Sequence, residues 1–247
     1  QDPDFETGAK FTDQSRIYHG DVNYNFGSFI ESFDWQVGGS WRRYDLNSGG
    51  TIYTDAESPI AYQEFGAYTQ LQDRFFDDRL KLTASIRYDK NQVFDGSFSP
   101  RVSVSYGLGK EKNRNIRASF QTGFRNPTTQ DLYIGLDSGA AILIGSAADN
   151  LDRYTSAPKI LSAAGAQIVG NSTVQLSGRD AYQNSWTATS ALAGAPVAAE
   201  VGLVQPEKVT AFEVGYRASV LKKVSLDASA YYNKYENFIG GNNVVSP

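Results

Sequence analysis

This 247-residue chain is marked by what it lacks or nearly lacks, and each shortage narrows what it can be. There is no cysteine, so a disulfide framework, a thiolate zinc site and a cysteine nucleophile are excluded. There is one histidine, His19, which leaves little room for imidazole chemistry. There is no long hydrophobic run: the longest, Ala140 to Ile144, falls far short of the roughly 20 residues of a membrane-spanning helix. A spanning β-strand needs only about 9–11 residues, half of them polar, so a membrane barrel stays open. An excess of positive charge is absent as well. The 23 Lys plus Arg stand against 27 Asp plus Glu, a net charge of −4, which argues against nucleic acid as a partner. The opening run Gln1 to Glu6 is polar and has neither the basic nor the apolar part of a secretion signal, so location has to be read from pattern.

What is present is aromatic and alternating. Hydrophobic residues are 40% of the chain and aromatic residues 13%, with 15 Tyr, 14 Phe and 3 Trp. Leu80, Leu82, Ala84, Ile86 and Tyr88 interleave with Lys81, Thr83, Ser85, Arg87 and Asp89, the period of two that gives a strand one dry face. Ile116, Ala118, Phe120 and Phe124 alternate with Arg117, Ser119, Gln121 and Arg125, and Phe212, Val214 and Tyr216 with Glu213 and Arg217. Such stripes predict eight strands near 14–26, 29–44, 60–73, 79–90, 99–107, 114–125, 207–219 and 223–237. Tight connections (Gly27-Ser28, Asp73 to Asp78, Gly107 to Asn113, Val220 to Lys223) alternate with longer ones at 45–59, 91–98 and 126–206. Short turns on one side and long loops on the other suit an antiparallel transmembrane β-barrel.

A soluble sandwich also alternates. Against it stand ionic residues in nearly every strand on one face and almost none on the other, aromatic residues near strand ends such as Tyr24, Trp41, Phe75, Tyr106 and Phe124, and a strand at 29–44 that would reach about 50 Å. With tight turns on the periplasmic side, both chain ends fall on the extracellular side. This reads as about eight strands inside a larger barrel, with a closed eight-stranded barrel as the alternative.

Residues 98–133 are more specific than alternation. Phe98-Ser99-Pro100-Arg101 opens a strand, Gly123-Phe124-Arg125-Asn126-Pro127 ends the next, and Asp131-Leu132-Tyr133 follows. With Gln205-Pro206-Glu207-Lys208, Phe212 to Arg217, and the Tyr-rich run Ala228 to Asn237, this resembles the TonB-dependent outer-membrane receptors. The resemblance covers about half the chain and implies an internal section of the later half of a barrel of about 22 strands. It places the chain in the outer membrane of a Gram-negative cell, residues 1–247 belonging to one barrel domain and 126–206 forming a long extracellular loop. The plug domain and the closing strand are expected to lie outside the section.

The resemblance implies active transport: loops bind a scarce nutrient and the TonB complex, acting through the plug, supplies the energy. The alternative is a receptor-like barrel serving as a structural or docking subunit of a larger outer-membrane complex, with a surface lipoprotein or another subunit as partner. No enzyme activity, cofactor or metal is expected. Ligand-binding candidates on the rim and inner wall are Arg117, Arg125, Tyr133, Glu213 and Arg217; the simpler reading of such charges, with Arg87, Arg101 and Asp227, is that they pair with one another. Asn126 is expected to cap a short rim helix with Pro127 in its first position and Gly135 ending it. Ala166 to Val169 and Ser172 to Leu176 flank Gly170-Asn171 as a hairpin above the barrel. Asp149 to Asp152 offers oxygen ligands, though without the spacing of a dedicated calcium loop. His19 is read as an ordinary polar residue of the inner wall, since nothing in the sequence selects a nucleophile beside it.

Overall fold

A computed structural model of the chain describes residues 11–30, 32–220 and 224–245. The opening run Gln1 to Glu6, the Leu221 to Lys223 part of the last tight connection, and Ser246-Pro247 lie outside the described residues. Eight long strands form one antiparallel sheet in chain order: β1 (Arg16–Asn25), β2 (Asp34–Leu46), β3 (Ile60–Phe75), β4 (Leu80–Asn91), β5 (Ser97–Leu108), β6 (Arg114–Arg125), β7 (Glu207–Val220) and β8 (Val224–Glu236). Among the described residues β1 pairs only with β2 and β8 only with β7, so the closed eight-stranded barrel is not what forms.

Register separates the two faces at mid-strand, while toward the strand ends the apolar face also carries charged residues such as Arg16, Arg43, Lys90 and Arg114. Trp35, Leu71, Ala84, Val102, Phe120, Phe212 and Tyr232 lie opposite one another across seven strands. The next row along the strands reads Asn25, Gln36, Gln70, Ser85, Arg101, Gln121, Ala211 and Asn233. A one-residue slip anywhere would exchange the two. The apolar row is exposed in this chain: Leu71, Val102, Phe212 and Tyr232 all face outward with no protein above them. A contiguous apolar sheet face of this kind is what a lipid-facing wall looks like.

Two expectations about this sheet are corrected. β2 starts at Asp34, not residue 29, because Asn25 caps a 3-10 turn over Phe26–Ser28 through its side chain. The longest strand is therefore β3, with 16 residues, so the reach of about 50 Å belongs to β3 and not to 29–44. The first connection is also wider than the Gly27-Ser28 pair, running from Phe26 to the start of β2.

The buried core sits at the end of the sheet where the long connections lie. Leu46, Tyr53, Ile60, Tyr62, Leu132, Tyr133 and Ala147 form it, with Tyr44 stacked on Tyr62 at 4.7 Å. The segment 126–206 supplies Leu132, Tyr133 and Ala147 and folds as a cap of short pieces. It runs through α1 (Thr129–Tyr133), a small ladder of Gly135–Asp137 with Ile142–Ile144, α2 (Asn150–Arg153), α3 (Ala163–Val169), α4 (Gly178–Gln183) and α5 (Ala188–Leu192).

Three local expectations for this segment are overturned. The cap of α1 is Thr128, not Asn126: its hydroxyl accepts from the Asp131 N–H at 3.1 Å while the Asp131 carboxylate accepts from the Thr128 N–H at 2.8 Å. That reciprocal box satisfies two free donors where Asn126 would satisfy one. Ile134 ends the helix, and Gly135 begins the ladder instead. The hairpin around Gly170-Asn171 is absent, because Ser162 caps α3 and Gly170, at φ 77°, closes it in the left-handed conformation. Its would-be second arm, Thr173–Val174, pairs with Lys159–Ile160.

Candidate functional site

The cap crosses the polar face and is tied to the β2–β3 connection. The Thr54 N–H donates to the Tyr133 carbonyl at 3.1 Å and the Gly135 N–H to the Ile52 carbonyl at 2.9 Å. Fully buried Asn150 accepts from the Thr54 hydroxyl at 2.5 Å and donates to the Gly145 carbonyl at 2.9 Å. Gly145 is required there, since a Cβ would come within 2.5 Å of the Leu132 backbone. Arg153 reaches the Ser58 hydroxyl at 2.7 Å. On the connection itself, burial alone would raise the Asp55 carboxyl, but the Ser48 N–H and hydroxyl and the Gly50 N–H hold it below its ordinary value. Burial, with Asp149 nearby, pushes the Tyr133 phenol up to about 12, so it stays neutral.

Under this strap the polar face holds a cavity of about 490 Å³, lined by Arg42, Tyr44, Glu64, Arg87, Asp89 and Asn126 among others. Alternation puts the first five on one face of β2, β3 and β4, where Arg42 pairs across to Glu64 and Tyr44 to Tyr62. Glu64 is the hub. It accepts from the Asn91 amide at 2.6 Å, the Asn126 amide at 3.0 Å and the Tyr44 hydroxyl at 3.3 Å, so it fixes the chain entering the cap to the sheet wall. Arg87 lies flat, gripping Asp89 at 2.6 Å and donating to the Ser40 hydroxyl, two strands away, at 3.0 Å. Gly66 makes this reach feasible, because a Cβ on it would stand 2.4 Å from the guanidinium. Arg42 is different. It donates to the Tyr44 hydroxyl at 3.1 Å and stands 3.7 Å from Glu64, leaving N–H groups of its five free to meet a bound molecule.

The five residues singled out from sequence do not form one site. Arg117, Glu213 and Arg217 come together on the polar face toward the tight-turn end, around Asp227. Arg117 stands 3.6 Å from Glu213 and 3.1 Å from Asp227, and Arg217 binds the same Asp227 at 2.6 Å. Arg125 is apart at the rim, in an ion pair with Glu207 at 2.9 Å. Tyr133 is buried in the core of the cap. Asp149 and Asp152 are taken by Arg153 and Arg179, and no cluster of metal-ligating side chains occurs among the described residues. His19 faces the cavity with Asp21 at 3.3 Å. Arg42, Glu64 and Asp89 are the residues that sequence reasoning passed over. Their signal was present in the alternation, as charges on the polar side of three neighbouring strands.

The sequence matches the family described as TonB dependent receptor-like, beta-barrel over residues 2–247. No curated protein matches the chain in sequence. Among solved structures it is similar to the siderophore receptor PirA from Pseudomonas aeruginosa, at 15% identity and TM-score 0.50, covering 90% of this chain and 32% of that one. It is similar to PirA from Acinetobacter baumannii at 14% identity and TM-score 0.52, covering 90% and 27%. For a variant of the ferric enterobactin receptor PfeA from Pseudomonas aeruginosa the figures are 15%, 0.52, 90% and 26%. At these identities the likeness concerns the fold, and the chain spans a third or less of those receptors. The eight-stranded sheet with its single apolar face is thus a section of a barrel, of a kind found in outer-membrane receptors rather than enzymes, and the chain belongs to the TonB-dependent receptor-like β-barrel family.

Proposed function

We propose that this chain is the ligand-facing part of an outer-membrane receptor that imports a scarce, polar nutrient with TonB-coupled energy. In this reading the long-loop end is extracellular, 126–206 is an extracellular cap, and the polar face lines the passage. The observation that carries it is the cavity beneath the cap, where Arg42 keeps donors unspent while Glu64, Arg87 and Asp89 are occupied by protein partners. Spare charged donors beside hydroxyls suit an anionic ligand rich in oxygen. Arg117, Glu213, Arg217 and Arg125 hold the wall together in this scheme, and Tyr133 holds the cap.

The test uses ferric enterobactin as the first probe, given what the structural neighbours bind. Cells producing the full-length chain should take it up saturably, and uncoupling the inner membrane should abolish accumulation while sparing surface binding. Arg42→Gln should weaken surface binding about tenfold, the loss of one charged hydrogen bond. Unchanged binding in that variant would remove the cavity from the ligand path.

A second reading, a docking subunit of a larger outer-membrane complex, is favoured by the apolar residues the cap leaves in solvent: Ile160, Ile168 and Leu192 are 88%, 86% and 87% exposed. A defined partner subunit that co-purifies with the wild type and is lost on Ile160→Ser with Ile168→Ser would support it.

A further inference from the structure

We propose that the cap binds one strand of a partner protein, an internal, extended and uncharged stretch of chain that adds itself to the free edge of Ile142–Ile144. The inference goes beyond the transport reading, and its site shares no lining residue with the cavity under Arg42. Opposed residues of an antiparallel pair alternate between exchanging hydrogen bonds and turning those groups outward. The Gly145 N–H donates to the Ile134 carbonyl at 2.8 Å and the Ser138 N–H to the Ala141 carbonyl at 3.0 Å. By alternation Leu136 and Leu143 bond to each other as well, while Gly135 and Ile144, and Asp137 and Ile142, turn their groups outward.

On the Gly135 side the outward edge meets protein: the Gly135 N–H donates to the Ile52 carbonyl at 2.9 Å, and Tyr53 bridges Ile134. On the other side it does not. Among the described residues the Ile142 N–H and carbonyl and the Ile144 N–H have no partner, and the Ile144 carbonyl is approached only by the Tyr182 hydroxyl, at 3.5 Å. A ladder extended on one edge thus presents the same kind of edge, unfilled, on the other.

This edge lines a cavity of about 1200 Å³, together with Leu203, Val204, Phe238 and Ile239. That exceeds the roughly 300–1,000 Å³ of a site for one small molecule. Its other walls are anchored. The Val204 N–H donates to the Ser146 hydroxyl at 2.7 Å, the Ile239 N–H to the Glu207 carboxylate at 2.9 Å, and Val244–Val245 pairs with Trp186–Thr187. The cleft is formed before anything enters it, which lowers the cost of binding. An incoming strand would bond to Ile142 and Ile144 at every second residue and set alternate side chains against the apolar walls. Charge selects the kind of chain. The ionic side chains lining the cavity are Asp131, Asp137 and Lys159. Asp131 accepts from the Thr128 N–H and hydroxyl, both at 2.8 Å, and Asp137 pairs with Lys159. No net charge is left over for the ammonium and carboxylate of a short free peptide, whereas an internal stretch brings neither.

The experiment is calorimetric binding, to the full-length chain folded in detergent, of a six-residue peptide of alternating valine and threonine, acetylated and amidated to stand for an internal stretch. The wild type should bind it, and should bind the same peptide N-methylated at every residue about tenfold more weakly or worse, since the backbone donors are gone while the apolar surface is kept. Free termini should weaken binding about tenfold as well. Ile142→Pro removes an N–H that the ladder does not use and should weaken binding about tenfold, with amide protection at Leu143 and Gly145 retained. Should that variant lose its fold, the N-methylated peptide still decides the matter on the wild type. No binding to the wild type, equal binding of the N-methylated peptide, or full affinity in a folded Ile142→Pro would overturn the strand site. Tighter binding of the peptide with free termini would overturn the internal stretch as its occupant. Each of these failures leaves ferric enterobactin binding at Arg42, and with it the transport reading, untouched.

Discussion

The sheet and the cap above it are held together by opposite means. In the sheet, backbone ladders of up to 13 register pairs do the holding, and the large apolar side chains Leu71, Val102 and Phe212 lie on its surface with no protein over them. In the cap, the longest helix has seven residues, yet Leu132 and Asn150 are wholly buried. The sheet thus needs an apolar medium outside it, whereas the cap excludes water with its own side chains as an ordinary globular domain does. One chain is stabilised by two solvents, and the boundary runs through the tyrosines Tyr44, Tyr62 and Tyr133.

The contrast can be broken from either side. Leu132→Ala should cost about 2–5 kcal/mol in the cap, seen as faster amide exchange over 129–154 while β4 to β6 keep their protection. Loss of protection in the sheet as well would mean the two regions unfold as one. Phe120→Arg should cost about 2–4 kcal/mol when the chain folds into phosphatidylcholine vesicles; an unaffected folding equilibrium would show that this face does not meet lipid. Asn150→Ala should cost about 1–3 kcal/mol by stranding the Thr54 hydroxyl and the Gly145 carbonyl, again read by exchange in the cap alone.

Acid sharpens the comparison more gently. The Asp55 carboxyl is lowered from 3.8 in the folded chain, so its contribution is complete above that value and is lost as pH falls through the lower folded one. Protection of the Ser48 and Gly50 amides, taken relative to their intrinsic exchange rates, should fall over that interval in the wild type and stay level in Asp55→Asn. The smallest expected effect is none. In the transport reading proposed above, Ser58→Cys with Arg153→Cys, joined by a short bis-maleimide in this cysteine-free chain, should leave uptake of the probe unchanged if the strap is fixed. Abolished uptake would make it a moving lid.

The sheet was readable because each strand repeats its message: Ile116 to Phe124 says outward four times, and a single misreading cannot invert it. Seven of the eight strands lie where alternation puts them, within a few residues. β2 began late because Asn25 holds a local turn that periodicity cannot register. The cap was hardly readable, since Ala163 to Val169 carries neither period clearly and its state is decided by Ser162 and Gly170 at its ends. The candidate residues failed to assemble for a related reason. Alternation gives the face of Arg117 and Arg125 but not the height at which each meets its neighbours, and height separates an interior ion network from a rim pair.

Arg117 reaches Asp227 on β8 by lying across β7, and it can do so because Gly215 stands beneath its guanidinium. Shift β7 by one residue and Val214 or Tyr216 occupies that spot. The contact therefore closes only where β6, β7 and β8 are in order and in phase, and Arg87 over Gly66 sets the same condition for β2, β3 and β4 on the same face.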